Sequence, residues 1–236
     1  MWWLVVPAGL AVAAGVKWLL KEDPPTPYRN YSPAARPPTV LELNLRRLEV
    51  ELAACALATK VTLIGQPGAG KSSLLWSITE KRCSPPPLIG VQTDATNWSE
   101  STGVVLIHSD GENRYVDAPG PGTERHPLTA FLKEFPFGRF HVVVFVWNSK
   151  VRADDAGLYA GLRRSLDVIA GRPSKVLFVR TGVDAIKPSD RAGIIADWKQ
   201  HFPGHSVDDL HFVSNKTGEG ISTLQRAIQV RGAGGS

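Results

Sequence analysis

The sequence predicts an α/β fold of three layers, a mostly parallel sheet with helices on both faces. Two observations carry that prediction. From residue 60 onward, apolar runs of strand length alternate with amphipathic helical patterns, and parallel strands joined through covering helices satisfy that alternation. The first of those runs leads through a glycine-rich string, GQPGAGKS at 65–72, directly into a helix. With 236 residues, there is room for one α/β domain of ordinary size plus a small extra.

Composition narrows the class further. The chain is 43% hydrophobic and 21% charged, which excludes wholesale disorder and a multi-span membrane protein. Cys55 and Cys83 have no CxxC spacing and are too few for a disulfide framework or a thiolate zinc site. The formal charge of +5 is spread along the chain without a dense basic block, so no nucleic-acid partner is predicted.

Taken in order, residues 1–21 open with MWWLVVPAGLAVAAGVKWLL, uncharged before Lys17. About 20 residues at ~1.5 Å rise cover the ~30 Å hydrocarbon core of a bilayer. Trp2, Trp3 and Trp18 sit near the ends, where amphipathic rings prefer the interface, and the basic residues follow the apolar run. A single-pass transmembrane anchor is therefore expected, with the remaining chain in the cytoplasm. Pro7, Gly9 and Gly15 keep an amphipathic or buried helix open as the alternative. Residues 22–38 hold six prolines in EDPPTPYRNYSPAARPP and read as a semi-stiff linker. Residues 39–59 read as an amphipathic helix, with Thr39 and Glu42 spaced as a capping box and Leu41, Leu45, Leu48 and Leu52 forming one stripe. That stripe must be covered, by the following domain or by a partner.

Residues 60–231 carry the main domain. Strands are expected at KVTLIG, GVVLIHS (103–109), NRYVDA (113–118), HVVVFVW (141–147), KVLFVR (175–180) and LHFVS (210–214). Helices are expected from Ser72, over Leu128–Phe135, Asp154–Ala170, Asp190–His201 and Ile221–Val230. Residues 232–236, GAGGS, read as a flexible tail.

GQPGAGKS matches the Walker A pattern in the strand-to-helix context that the pattern requires. Gly65, Gly68 and Gly70 let main-chain amides converge on an anion, with Ala69 between them, and the helix entered through Lys71, Ser72 and Ser73 adds its dipole. Lys71 is the candidate for the terminal phosphates and the Ser72 hydroxyl for magnesium. A nucleoside di- or triphosphate is the expected ligand on a P-loop NTPase fold. Further on, YVDAPG at 115–120 places Asp117 at a strand's carboxyl end, suited to magnesium, and Gly120 where an amide can meet a γ-phosphate.

This order of motifs resembles the translation-factor class of P-loop GTPases, Era-like and related small GTPases whose third motif reads DxPG. The resemblance covers about residues 60–230 and implies GTP/GDP and magnesium as ligands. It implies guanine recognition by an [NT]KxD motif, which Thr181 and Asp184 match in RTGVD, and by a fifth motif similar to Ser214, Asn215 and Lys216. A carboxylate at Asp184 can accept from both guanine N1–H and N2–H, which adenine does not offer. Gly182 stands where the motif has lysine, leaving Lys216 as the candidate to stack on the base. Switch I implies a magnesium-binding threonine, with Thr93 and Thr96 both available and Thr96 preferred. Pro121 occupies the position of the water-orienting glutamine in Ras-like enzymes, so slow hydrolysis is expected unless a partner or dimerisation completes it. Arg125, Arg139 and Arg152 remain unassigned, as does any catalytic base. His108, His126 and His141 are expected to be structural or surface groups, with no partner pattern for a triad or a metal.

Three functions compete at this level. The leading one is a membrane-anchored GTPase switch; the others are an ATP-dependent P-loop protein and a nucleotide-binding interaction module with little hydrolysis. A homodimer and a protein effector are the alternatives for a partner.

Overall fold

The computed structural model describes residues 36–90, 96–168 and 175–229. The expected anchor at 1–21, the linker up to residue 35, Thr93 and the tail at 232–236 lie outside them. Among the described residues, no helix is long and apolar enough to cross a membrane.

Helix α1, Val40–Ala54, begins as its sequence dictates. The Thr39 hydroxyl accepts from the Glu42 amide at 3.2 Å, and the Glu42 carboxylate accepts from the Thr39 amide at 2.8 Å, satisfying two donors left over at a helix start. The helix stops at Cys55, short of the end of the segment 39–59, because the chain must turn to enter β1 at Thr59. Its leucine stripe is buried within the same compact unit as the sheet. Each such leucine removed from water contributes on the order of 2 kcal/mol.

Six strands follow: β1 Thr59–Ile64, β2 His108–Asp110, β3 Asn113–Asp117, β4 Val142–Trp147, β5 Lys175–Thr181 and β6 Leu210–Val213. Their order across the sheet is β2-β3-β1-β4-β5-β6, and every pairing is parallel except β2 with β3. The connecting helices are α2 Lys71–Ile78, α3 Leu128–Glu134, α4 Ala153–Val168, α5 Arg191–His201 and α6 Ile221–Gln229. The two-residue period of a strand sorts the core. On β4, Val143, Phe145 and Trp147 face one cluster with α1, α3, α4 and α5, while Val142, Val144 and Val146 face the other with α2 and α6. This is the three-layer arrangement expected.

One strand differs from expectation. GVVLIHS was expected as a strand over 103–109, but only His108–Asp110 pairs, antiparallel to β3 through the two-residue turn Gly111–Glu112. Gly111 takes a left-handed φ of +57°, as such turns require. The residues before it are engaged elsewhere: the Arg47 guanidinium of α1 donates to the carbonyls of Thr102 and Val104.

Burial holds His141, His205 and His211 below the ordinary imidazole value, with Lys60 adding to the effect at His141 and Lys175 at His211. These three imidazoles therefore bind more protons in the unfolded chain than in the folded one below about pH 6.5, and their contribution to stability falls as pH drops through that value. Urea midpoints should fall between about pH 7.5 and pH 5, and His211→Gln should flatten the slope. Equal midpoints for the wild type at the two pH values would contradict this.

Candidate nucleotide site

The site forms at the carboxyl ends of β1, β3 and β5, where a parallel sheet presents its loops. The P-loop needs its glycines for two separate reasons. A Cβ on Gly65 would lie 2.1 Å from the Val146 carbonyl oxygen, so only glycine lets β1 leave the sheet against β4. Gly70 has a φ of +89°, the left-handed conformation that turns the chain into α2. The first main-chain bond of α2 runs from the Leu74 amide to the Gly70 carbonyl at 2.8 Å, so the amides of Lys71, Ser72 and Ser73 precede the intrahelical ladder.

The loop is braced from outside. Asn148 Nδ2 donates to the Gly68 carbonyl at 2.7 Å, Gln66 Nε2 to the Asp154 carbonyl at 3.0 Å, and the Thr181 hydroxyl to the Ala69 carbonyl at 2.8 Å. The Ala69 amide turns back on the Gln66 carbonyl at 3.1 Å, so Ala69 holds the loop's shape. Gly120 packs directly on the loop: a Cβ there would lie 2.4 Å from the Pro67 nitrogen.

Lys71 is 7% exposed, and its ammonium donates to the carbonyls of Gly65 at 2.9 Å and Gln66 at 3.2 Å. Burial lowers its pKa, opposed by the nearby Asp117 carboxylate. Asp117, 3% exposed, has the converse shift. Burial raises it, while Lys71, the Ser72 hydroxyl, His108 and the Thr96 hydroxyl oppose the rise. Ser72 Oγ and Thr96 Oγ1 both donate to Asp117 Oδ2, Thr96 at 3.1 Å, and the two hydroxyls lie 3.5 Å apart. Asp117 Oδ1 is buried with no hydrogen-bond partner among the described residues. Three oxygen ligands thus converge beside one ammonium, which suits a hard divalent cation and a phosphate.

The other end of the site is built by the loops after β5 and β6. Asp184 is exposed, and its Oδ1 accepts from Ser214 Oγ at 2.8 Å; that bond, foremost, holds its carboxyl below the usual carboxylate range. Ser214 Oγ in turn accepts from the amides of Lys216 at 3.2 Å and Thr217 at 3.0 Å. Asn215 reaches the P-loop, its Nδ2 standing 3.6 Å from where a Cβ on Gly70 would be. Asp184 is therefore joined to the 214–216 loop, and Thr181 and Asn215 both approach Gly70.

Several participants are not legible in the sequence. Gln66 and Asn148 act through main-chain carbonyls, and neither stands in a pattern that points to that role. Arg180 is 7% exposed, donates to the Thr181 carbonyl, and has its Nη1 4.0 Å from the Cβ position of Gly182. Its one cue is a basic residue at the end of an apolar strand. Arg139 pairs with Glu49 of α1 at 3.2 Å and Arg152 with Asp155 at 3.4 Å. The Arg125 carbonyl accepts from Ser99 Oγ. His108, His126 and His141 contact the Pro85 carbonyl, the Trp98 amide and the Lys60 amide respectively, all packing roles.

The sequence matches no protein-family model. The fold is shared with solved structures of low sequence identity. The crystal structure of a "probable GTP-binding protein engB" aligns with a TM-score of 0.50 at 17% identity, over 72% of this chain and 96% of that one. Bacterial selenocysteine-specific elongation factor EF-Sec aligns with a TM-score of 0.50 at 15% identity, over 73% of this chain and 28% of the factor. The chain therefore has the mostly parallel α/β fold of a P-loop NTPase, with the architecture seen in these two proteins.

Proposed function

We propose that this chain binds GTP and GDP with magnesium and hydrolyses GTP slowly as a conformational switch. The observation that carries the reading is the convergence of Ser72, Thr96 and Asp117 beside Lys71, with the Asp184 carboxylate held by Ser214 at the far end of the same site. The three oxygen-bearing residues would hold magnesium, which when bound neutralises phosphate charge. Lys71 and the amides of the first turn of α2 bind the phosphates, and the amide of Gly120, which packs on Pro67 of the P-loop, would meet a γ-phosphate. Asp184 accepts from guanine N1–H and N2–H, and the 214–216 loop supports it. Lys216, exposed on the 214–216 loop, stacks on the base where Gly182 has no side chain to do so. Hydrolysis transfers the γ-phosphoryl group to water, giving GDP and phosphate, and Pro121 has no side-chain group to orient that water. That is the basis for a slow rate.

Anchorage in a membrane through residues 1–21, with the nucleotide domain in the cytoplasm, belongs to the same proposal and draws on sequence alone. An adenine-binding reading draws on Gly182, but Asp184 opposes it: adenine presents an acceptor at N1 and no amino group at C2. Calorimetry of the full chain with GTP and with ATP, magnesium present, tests the assignment. GTP alone should give saturable heat, a chain starting at residue 22 should bind it equally, and only the longer chain should sediment with membranes. Tight binding of ATP alone would refute the choice of base.

A further inference from the structure

We infer that Asn44 and Arg47 of α1 are positioning residues for Thr96, so that the helix ahead of the nucleotide domain sets how well the site distinguishes GTP from GDP. This rests on the nucleotide reading given above. Asn44 is fully buried within a stripe of leucines. A leucine there would simply continue the stripe, whereas a buried amide is costly unless hydrogen-bonded. Asn44 Nδ2 donates to the Trp98 carbonyl at 2.7 Å and the Ser101 carbonyl at 2.9 Å. One turn along, the Arg47 guanidinium takes the carbonyls of Thr102 and Val104, while Glu51 holds its Nε at 3.3 Å. Two side chains of α1 thus bind four main-chain carbonyls within residues 98–104, a segment that begins two residues after Thr96.

The same segment also grips the loop beyond Gly120. The Trp98 amide donates to His126 Nε2 at 3.1 Å, Ser99 Oγ donates to the Arg125 carbonyl, and the Trp98 ring stacks with Phe135 just past α3. The 121–127 loop is itself closed by the Gly122 amide on the His126 carbonyl at 2.8 Å. Residues 98–104 therefore lie between α1 on one side and the loop that follows the γ-phosphate amide on the other. Thr96, which reaches Asp117, is carried on the end of this clamped segment. On that reading a γ-phosphate and its metal would engage Thr96 and Gly120 together, whereas a diphosphate would leave the γ position open. Affinity for the triphosphate should depend on the clamp and affinity for the diphosphate should not.

The test uses the full chain with Asn44→Leu, Arg47→Ala and Arg47→Lys, titrated with a non-hydrolysable GTP analogue and with GDP at saturating magnesium. For Asn44→Leu and Arg47→Ala the analogue should bind about threefold to thirtyfold more weakly, the range expected for coupling through a contiguous network. GDP affinity should change less than about twofold on the same argument. Arg47→Lys should recover part of the loss, since an ammonium can reach one carbonyl but not fork to two. Hydrogen exchange at 97–104 should be protected by the analogue in the wild type and not in Arg47→Ala. Arg47 has a side chain one-third exposed, so its truncation leaves a folded protein even if Asn44→Leu does not. Equal shifts for both nucleotides, or none, would overturn the inference. A wild type that binds neither nucleotide would instead overturn the nucleotide reading, and this inference with it.

Discussion

Lys71→Ala should abolish measurable binding of both GTP and GDP, an affinity loss of at least ~100-fold, or about 3 kcal/mol. The lysine is buried, and its ammonium already donates to the two carbonyls at the mouth of the P-loop. A bound phosphate chain would meet that charge in a poorly hydrated setting, where an unpaired anion is most costly. Folding should survive the change. Burial opposes the charged form of Lys71, and burial opposes ionisation of Asp117 as well, so removing the cation leaves a carboxyl able to take up a proton. A melting temperature of the nucleotide-free variant within a few degrees of the wild type, together with lost uptake of a fluorescent GDP, is the expected pair of results. Unchanged GTP affinity would reject the phosphate site.

Asp184→Asn should exchange the base preference from guanine to xanthine. An ionised carboxylate offers two acceptors to the adjacent N–H groups of guanine; an amide offers one acceptor and one donor, which matches the N–H and carbonyl that xanthine has in those places. Losing charge-assisted contacts worth about 1.5–3 kcal/mol each should weaken GTP by roughly 100-fold or more, while XTP gains. The Ser214 hydroxyl can donate to the oxygen of the substituted amide as it does to the carboxylate, so the loop after β6 should keep its shape. Competition between GTP and XTP for one fluorescent nucleotide reads the inversion directly. Retained guanine preference would place the base elsewhere.

The parts of the molecule that are legible in the sequence are those whose physics is local. The P-loop string needs no distant partner to be read, because its glycines, lysine and serine are contiguous and the flanking strand and helix declare themselves by composition. The same holds for the capping box at Thr39 and for β4, where apolar residues occupy both faces. What escapes depends on residues far apart in the chain. The segment before β2 is held by Arg47, distant in sequence, through the carbonyls of Thr102 and Val104. Asn44 does leave a trace, an amide at helical spacing inside a leucine stripe, but its partners at Trp98 and Ser101 emerge only from the fold. Of the two candidate threonines the preferred one, Thr96, contacts Asp117, a partner that no linear pattern names, and Thr93 lies outside the described residues. Arg180 reads simply as the end of a strand, since nothing in a linear pattern tells that its head returns to the Thr181 carbonyl.

The margin of the sheet has a consequence for assembly. Its outer strand on one side is only His108–Asp110, and the amides and carbonyls of Ser84 and Ser109 close on each other at 2.8 Å. Pro85, Pro86 and Pro87 come next and bring no amide hydrogen with them. At the opposite margin β6 offers four residues between a 3₁₀ turn and the 214–216 loop. Among the described residues both borders of the sheet are therefore short, and short edges present few unpaired amides and carbonyls to a strand from another molecule.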